Sequence, residues 1–242
     1  MYGWRARLGV LVPSKIMAIE PEFNRMTPEG VSCHYHRFAF RGGSKSEEVV
    51  ERLSNAQQFV GDAAEMITHV QPAVVAMTGT GVSFIGGHEY DLKLIQLMKE
   101  RNGNLPTTTT STAVIDALHA LGITKVSMAM PYLEKVARTA VKFVEDSGIQ
   151  VLNARWLDKN SVEIPRLSLE VQYQLARDVD LPESDALFMP CVDLHTLDLI
   201  DKLESDLQKP VITSNQATMW KMLRLAGIND RMTGFGRLLS EC

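Results

Sequence analysis

An internal repeat in three parts is the feature of this sequence that most restricts its fold. The segment GVLVPS resembles SMAMPY, and VVAMTGTG resembles LFMPCVD when Met77 is matched to Met189. The longest match aligns PTTTTSTAVIDALHALGI, from Pro106, with PVITSNQATMWKMLRLAGI, from Pro210. Any two strand-helix units look alike, but three matches in the same order predict two similar lobes.

Short apolar runs typical of strands alternate with segments of helical periodicity along the chain. This repeated order predicts parallel sheets covered by helices. We therefore expect an α/β fold of two pseudo-symmetric lobes, each a parallel four-stranded sheet flanked by helices, with the active site in the cleft between them. The predicted lobes are residues 1–112 and 113–242, and the last helices can cross back to the other lobe. The predicted strands are 8–13, 31–40, 73–78, 105–110, 125–131, 149–156, 186–191 and 209–214.

Composition and charge exclude several classes of function. The 242 residues are 45% hydrophobic and 22% charged, with a formal net charge of −4. This balance predicts a globular protein that binds neither nucleic acid nor membranes. The first apolar run lasts only from Leu8 to Val12, too short for a signal peptide, so we expect a cytoplasmic protein, as a monomer or small homo-oligomer. Three widely spaced cysteines, Cys33, Cys191 and Cys242, predict reduced thiols.

The repeat assigns Cys191 to a candidate ligand site. With Met77 matched to Met189, Gly79 falls opposite Cys191, and each residue lies at the C-terminal end of the third predicted strand of its lobe. Ligands of open parallel sheets bind at the carboxyl ends of the strands. Two facing lobes would bring both positions to one cleft, in which only one face carries a thiol.

Six motifs spread over nearly the whole chain resemble one enzyme superfamily: LGVLVPS, MTGTGVSFIGG, LPTTTTSTAVIDALHALG, MPYLEKV, PCVDLHTLD and SNQATMWKMLRLAG. They are similar to the aspartate/glutamate racemase superfamily, and most of all to the branch that contains arylmalonate decarboxylase and maleate cis-trans isomerase. In racemases and maleate isomerase both strand-end positions are cysteine, whereas the decarboxylase has glycine at the first and cysteine at the second. Gly79 and Cys191 match the decarboxylase pattern.

The resemblance implies a reaction and a set of site residues. Loss of carbon dioxide from a malonate leaves an enediolate, which Cys191 would protonate from one face as a neutral thiol. Donors must also face the enediolate oxygens, and the resemblance assigns this role to the Thr80 hydroxyl, the Tyr132 phenol and two backbone N–H groups. The expected catalytic residues are Cys191, Thr80 and Tyr132, and the expected substrate-binding residues are Pro13, Ser14, Gly79, Gly81, Val82, Val192 and Asn215.

Other segments resemble the isomerase more closely. SNQAT and CVDLHTLD are of the isomerase type, which makes Asn215 a candidate for binding a second carboxylate, and Gly81 stands where the decarboxylase has a serine. Conversely, Ile16 replaces an asparagine of the isomerase, and Lys15 is a cation without a predicted role. An apolar wall suited to departure of a carboxylate into a dry pocket is predicted from Ile16, Met17, Ile19, Val82 and Phe84.

No cofactor or metal is predicted from the remaining polar segments. FIGGHEYD contains glycines but no dinucleotide-binding or Walker pattern. His34 and His36 share one face of a predicted strand, but no third ligand accompanies them, and catalytic zinc sites usually need three.

The expected function is a cofactor-independent decarboxylase of a malonate-type acid, disubstituted or aryl-substituted, acting through an enediolate that Cys191 protonates. Two alternatives remain open. One is a maleate-type cis-trans isomerase or a racemase of a small carboxylic acid, and the other is a non-catalytic binding protein for a small acid. All three predict a small carboxylic acid as the partner.

Overall fold

A computed structural model describes residues 2–41, 51 and 55–242 of the chain. It contains two sheets of four parallel strands with the same spatial order. The first sheet has the order β2-β1-β3-β4 and the second the order β6-β5-β7-β8, so the repeat in sequence corresponds to a repeat in space. The strands are β1 (Ala6–Pro13), β2 (Val31–Phe38), β3 (Val74–Met77), β4 (Thr107–Thr109), β5 (Lys125–Met130), β6 (Gln150–Trp156), β7 (Ala186–Met189) and β8 (Val211–Thr213).

Helices cover both sheets, which confirms the predicted α/β class with two parallel four-stranded sheets. The described part of the chain has the α-helices α1 (Ile19–Met26), α2 (Val60–Met66), α3 (Thr80–Phe84), α4 (Gly87–Arg101), α5 (Thr110–Ala120), α6 (Glu134–Asp146), α7 (Leu169–Val179), α8 (Ile200–Leu207), α9 (Ser214–Leu225) and α10 (Gly236–Glu241). None of them is long and apolar enough to span a bilayer, as far as the described residues extend.

The central strands lie in the hydrophobic core because helices cover both of their faces. Every residue of β3 (VVAM) and of β7 (ALFM) is buried, and these strands read as continuous apolar runs. The edge strands β2 and β6 are mostly half-buried and contain both apolar and polar residues. The buried apolar side chains of the two lobes form one continuous core.

Two equivalent helices join the lobes. Helix α5 starts after β4 and α9 starts after β8, and a threonine caps each start: the Thr109 side chain accepts from Thr112 N–H, and the Thr213 side chain accepts from Gln216 N–H. The two helices pack against each other, and α9 also contacts β3, β4 and α1 of the N-terminal lobe. Residue 112, where the lobes were predicted to divide, lies inside α5.

A buried carboxyl group fixes the start of α5. Asp91, on α4, is 2% exposed and accepts hydrogen bonds from the hydroxyls of Thr109 and Thr112, each at 2.6 Å. Burial raises the pKa of Asp91 to about 6, although these hydroxyls and the charge of His88 act in the opposite direction.

We predict that Asp91 makes folding stability depend on pH. The folded protein keeps a proton on Asp91 up to about pH 6, whereas the unfolded chain releases it near pH 4. The stability that this tighter proton binding gives the folded state is therefore lost as pH rises through that window. Relative to the Asp91→Asn variant, the free energy of unfolding of the wild type should fall by on the order of 3 kcal/mol across it. Urea unfolding at several pH values measures this difference, and a constant difference would contradict the prediction.

Candidate active site

A mainly apolar cavity lies between the two lobes, at the carboxyl ends of strands from both sheets. Its walls come from the loops after β1, β2, β3, β5, β6 and β7, as expected for a ligand site of parallel sheets. Eight of the predicted site residues line it: Pro13, Gly79, Thr80, Gly81, Val82, Tyr132, Cys191 and Val192.

Gly79 and Cys191 occupy equivalent turns, one after β3 and the other after β7. Their φ angles are 120° and 145°, respectively, so both adopt a backbone conformation that residues with a Cβ rarely take. Glycine adopts it without strain, whereas cysteine does so at a cost in energy. The Cys191 turn is held by a hydrogen bond from its backbone N–H to the Ser214 hydroxyl, at 3.0 Å.

The Cys191 thiol is held in its neutral form. Burial in the cavity wall raises its pKa to about 12, and the negative charge of Asp193 acts in the same direction. Backbone N–H groups of Asp193 and Leu194 and the phenol of Tyr132 lower the pKa, but burial outweighs them. A thiol with this pKa is protonated at neutral pH, and it can donate a proton but is a poor nucleophile.

Hydroxyl groups from both lobes lie beside the thiol. The Thr80 hydroxyl is buried and lies 2.7 Å from the Ser214 hydroxyl, which also accepts from Cys191. Tyr132 is 8% exposed, and among the described residues its phenolic oxygen has no hydrogen-bond partner within bonding distance. Burial holds the pKa of Tyr132 well above its usual value, while Thr80 is close enough to oppose this shift. The phenol is therefore protonated and available to donate to a bound anion.

Backbone N–H groups add to these donors. Helix α3 begins at Thr80, directly after Gly79, and the first N–H groups of a helix have no partner within it. Gly81, in the first turn of α3, lines the cavity, and so does Val192, next to the thiol. The site thus offers hydroxyl and amide donors within a mainly apolar wall, an arrangement that can stabilise an oxyanion.

Two predicted substrate-binding residues lie outside the cavity lining. Ser14 is exposed, and its hydroxyl accepts a hydrogen bond from the Phe40 backbone N–H at 3.1 Å. Asn215 is 1% exposed and lies behind the loop that follows Cys191, where its amide donates to Glu22 and to the Val192 carbonyl. In both cases the side chain is hydrogen-bonded to a residue distant in sequence.

The predicted apolar wall is only partly correct. Ile16 and Val82 line the cavity, but Ile19 is buried in the core on α1 and Met17 is 57% exposed. Phe84 is also buried outside the cavity lining, with its ring edge-on to Tyr132 at a centroid distance of 6.0 Å. Lys15, the cation without a predicted role, is exposed.

Sequence reasoning missed one wall of the cavity. The loop after β6 supplies part of it, and no motif marks this loop, although the rule that ligands bind at strand ends applies to β6 as well. Asp193 was also missed: its Oδ1 accepts from the backbone N–H groups of Met17 at 2.8 Å and Ala18 at 3.2 Å, which ties the thiol loop to the N-terminal lobe. The missed lining residues are Phe40, Leu133, Val136, Lys159, Asn160, Ser161, Ile164 and Asp193.

The histidine pair in β2 is not part of a metal cluster in the described structure. The His34 ring nitrogen Nε2 lies 2.9 Å from the Ser32 hydroxyl. Within residues 2–41, 51 and 55–242, no three side chains of the types that bind metals converge on one point.

Comparison with known proteins shows the family of the chain. A family model described as arylmalonate decarboxylase matches residues 8–239. The chain is also 34% identical, over 243 residues, to arylmalonate decarboxylase of Bordetella bronchiseptica, with 97% of this chain and 96% of that protein covered. The chain belongs to the arylmalonate decarboxylase family. Its predicted membership of the branch shared with maleate isomerase is confirmed, and it is an enzyme of that branch.

Maleate isomerases are also similar to this member of the arylmalonate decarboxylase family. That of Geobacillus stearothermophilus is 23% identical, with 97% of each chain covered. Among solved structures, a liganded arylmalonate decarboxylase with a glycine-to-cysteine and a cysteine-to-serine substitution has a TM-score of 0.87 at 27% identity, covering 98% of this chain and all of that one. Maleate isomerase of Nocardia farcinica bound to Tris shares the fold, with a TM-score of 0.89 at 24% identity and 98% of each chain covered.

We predict that Cys191 reacts with iodoacetamide in a way that reflects its raised pKa. In the folded protein its alkylation rate should rise about tenfold per pH unit from pH 7 to beyond pH 10 without a plateau, because only the thiolate reacts. The same cysteine in urea-unfolded chain is the control and should reach a plateau above about pH 8.5. Mass spectrometry of the Cys191 peptide gives both rates. A plateau near pH 8.5 in the folded protein would show that burial does not hold the thiol neutral.

Proposed function

We propose that this protein is a cofactor-independent decarboxylase of malonate-type acids, either disubstituted or aryl-substituted, in which Cys191 is the proton donor. The observation that carries the proposal is the pairing of Gly79 with a neutral thiol at equivalent positions of the two lobes. One acid on one face suffices for decarboxylation followed by protonation. The 34% identity to arylmalonate decarboxylase of Bordetella bronchiseptica supports the same reaction.

The site residues suit each step of this reaction. The bond between the α-carbon and one carboxylate breaks, carbon dioxide leaves, and the electron pair passes into the remaining carboxylate to form an enediolate. Thr80, Tyr132 and the N–H groups of Gly81 and Val192 donate to its oxygens. The Cys191 thiol then transfers its proton to the α-carbon, and the resulting thiolate takes a proton from water.

The apolar lining favours the first step. The carboxylate that leaves loses its charge as carbon dioxide, so a wall that solvates charge poorly destabilises the reactant more than the product. Ile16, Val82 and Ile164 are apolar residues of this wall. The binding donors lie beside Cys191, where the negative charge of the enediolate develops.

A maleate-type cis-trans isomerase or a racemase is the second candidate, and similarity to maleate isomerases favours it. The fold and the oxyanion donors are compatible with either chemistry. Isomerisation and racemisation, unlike decarboxylation, require a nucleophile or a second acid-base group at the position of Gly79. Glycine supplies neither, and the Cys191 thiol is protonated instead of being a thiolate.

We predict that the protein releases carbon dioxide from members of a panel of aryl- and disubstituted malonates. Cys191→Ala should lower kcat by roughly 10²–10⁴-fold, the usual contribution of general acid catalysis. Cys33→Ala is the matched control, because Cys33 lies outside the cavity lining, and its activity should be close to wild type. Carbon dioxide release and the fumarate formed from maleate are measured in the same experiment. Conversion of maleate without decarboxylation of any malonate would assign the isomerase reaction.

We further predict that moving the thiol to the other lobe inverts the configuration of the product. In the variant that combines Gly79→Cys with Cys191→Ser, the new thiol approaches the α-carbon from the opposite face. A Cβ at Gly79 would lie 3.2 Å from Pro13 Cγ and 3.3 Å from Val82 Cγ2, so small shifts are needed and the rate should fall. Chiral chromatography of the product is the test. Unchanged configuration with measurable decarboxylation would rule out a site with two opposed faces.

A further inference from the structure

A buried carboxyl group of the N-terminal lobe binds the chain that follows the thiol. Glu22, on α1, is 5% exposed. Its Oε2 accepts a hydrogen bond from Asn215 Nδ2 at 2.6 Å, and its Oε1 accepts one from the Leu197 backbone N–H at 3.1 Å. Both partners belong to the C-terminal lobe, so this carboxyl ties α1 to the loop that runs from Cys191 to Leu197.

Asn215 continues this link to the residue next to the thiol. Its Nδ2 also donates to the Val192 carbonyl oxygen, at 3.2 Å. The preceding residue, Ser214, accepts from the Cys191 backbone N–H at 3.0 Å. The first two residues of α9 therefore hold the amide of Cys191 on one side and the carbonyl of Val192 on the other.

The Cys191 turn needs such support because its conformation is strained. A cysteine at φ 145° persists only where the surrounding contacts determine it. If the Val192 peptide were released, Cys191 could relax to a more common conformation, and its side chain would change direction. The contacts of Asn215 with Val192 and with Glu22 oppose that change.

We propose that Glu22 is a positioning residue for the reaction, which acts through Asn215 to hold the Val192 peptide and keep the Cys191 thiol directed into the cavity. Glu22 lies outside the cavity lining, so it acts from behind the loop. Because it belongs to the opposite lobe, it makes the direction of the thiol depend on how the lobes pack. The inference rests on the role of Cys191 proposed above, but thiol reactivity tests it without any substrate.

Glu22→Gln changes this contact with almost no change in shape. Either orientation of the new amide places an N–H group against another donor, that of Asn215 or that of Leu197. Glu204→Gln is the matched control. Glu204 is also buried, at 8% exposed, and accepts from the backbone N–H groups of Val211 and Arg237, outside the cavity lining. The two variants make the same chemical change in comparable surroundings.

The experiment compares the alkylation of Cys191 by iodoacetamide in the two variants, under conditions in which each is folded. Alkylation should be about tenfold faster in Glu22→Gln than in Glu204→Gln, since losing one buried hydrogen bond shifts the equilibrium between held and released loop by about that factor. With a malonate substrate, kcat should fall in Glu22→Gln only, and by much less than tenfold because the held loop still predominates, with KM nearly unchanged. A purely structural role for Glu22 would give equal alkylation and equal kcat in both variants, and that result overturns the proposal.

Asn215→Ala provides a second test that does not depend on the folding of Glu22→Gln. It keeps the hydrogen bond from Leu197 to Glu22 and removes those that Asn215 donates to Glu22 and to Val192. Alkylation of Cys191 should again be about tenfold faster than in the Glu204→Gln control, and an unchanged rate overturns the proposal. If alkylation responds as expected in the variants but the wild type decarboxylates no malonate, the proposed function fails while the positioning role of Glu22 stands.

Discussion

The strained turn at Cys191 is the constraint on which the site depends. A cysteine with φ 145° requires neighbours that hold the peptide groups on both sides, and these come from the start of α9 and, through Glu22, from α1 of the other lobe. Asp193 adds contacts to the backbone of Met17 and Ala18. The thiol is therefore directed by contacts between the lobes as much as by its own loop.

The burial that these contacts produce also sets the chemistry of the thiol. Removing Cys191 from water disfavours the thiolate, so the group is an acid at neutral pH. Tyr132 is affected in the same way, and its phenol remains a donor. Neutral hydroxyl and thiol donors in a mainly apolar cavity suit a reaction in which a carboxylate leaves as neutral carbon dioxide and negative charge moves to oxygens that face those donors.

The two pseudo-symmetric lobes have equivalent backbones but different side chains at equivalent positions. The strand order is the same, a threonine caps α5 and α9 at matching positions, and the turns after β3 and β7 share positive φ values. The side chains at these positions differ: glycine follows β3 where cysteine follows β7, and Asn215 of α9 makes the contact to the thiol loop. In the proposed decarboxylation, this difference lets a symmetric scaffold present a proton to one face of the substrate only.

Most of the framework could be predicted from the sequence, since the repeat and the apolar runs report local periodicity and the order of the elements. They indicated parallel strands, two lobes and the pairing of Gly79 with Cys191, and the strand-end rule places both at one cavity. The predicted strands 105–110 and 209–214 extend one residue too far at their C-terminal ends, because Thr110 and Ser214 already begin helices.

The roles of Asn215 and Ser14 were decided only by tertiary structure. A polar side chain binds whichever partner the fold brings close, and the partner of Asn215 is Glu22, 193 residues away, which no local pattern could reveal.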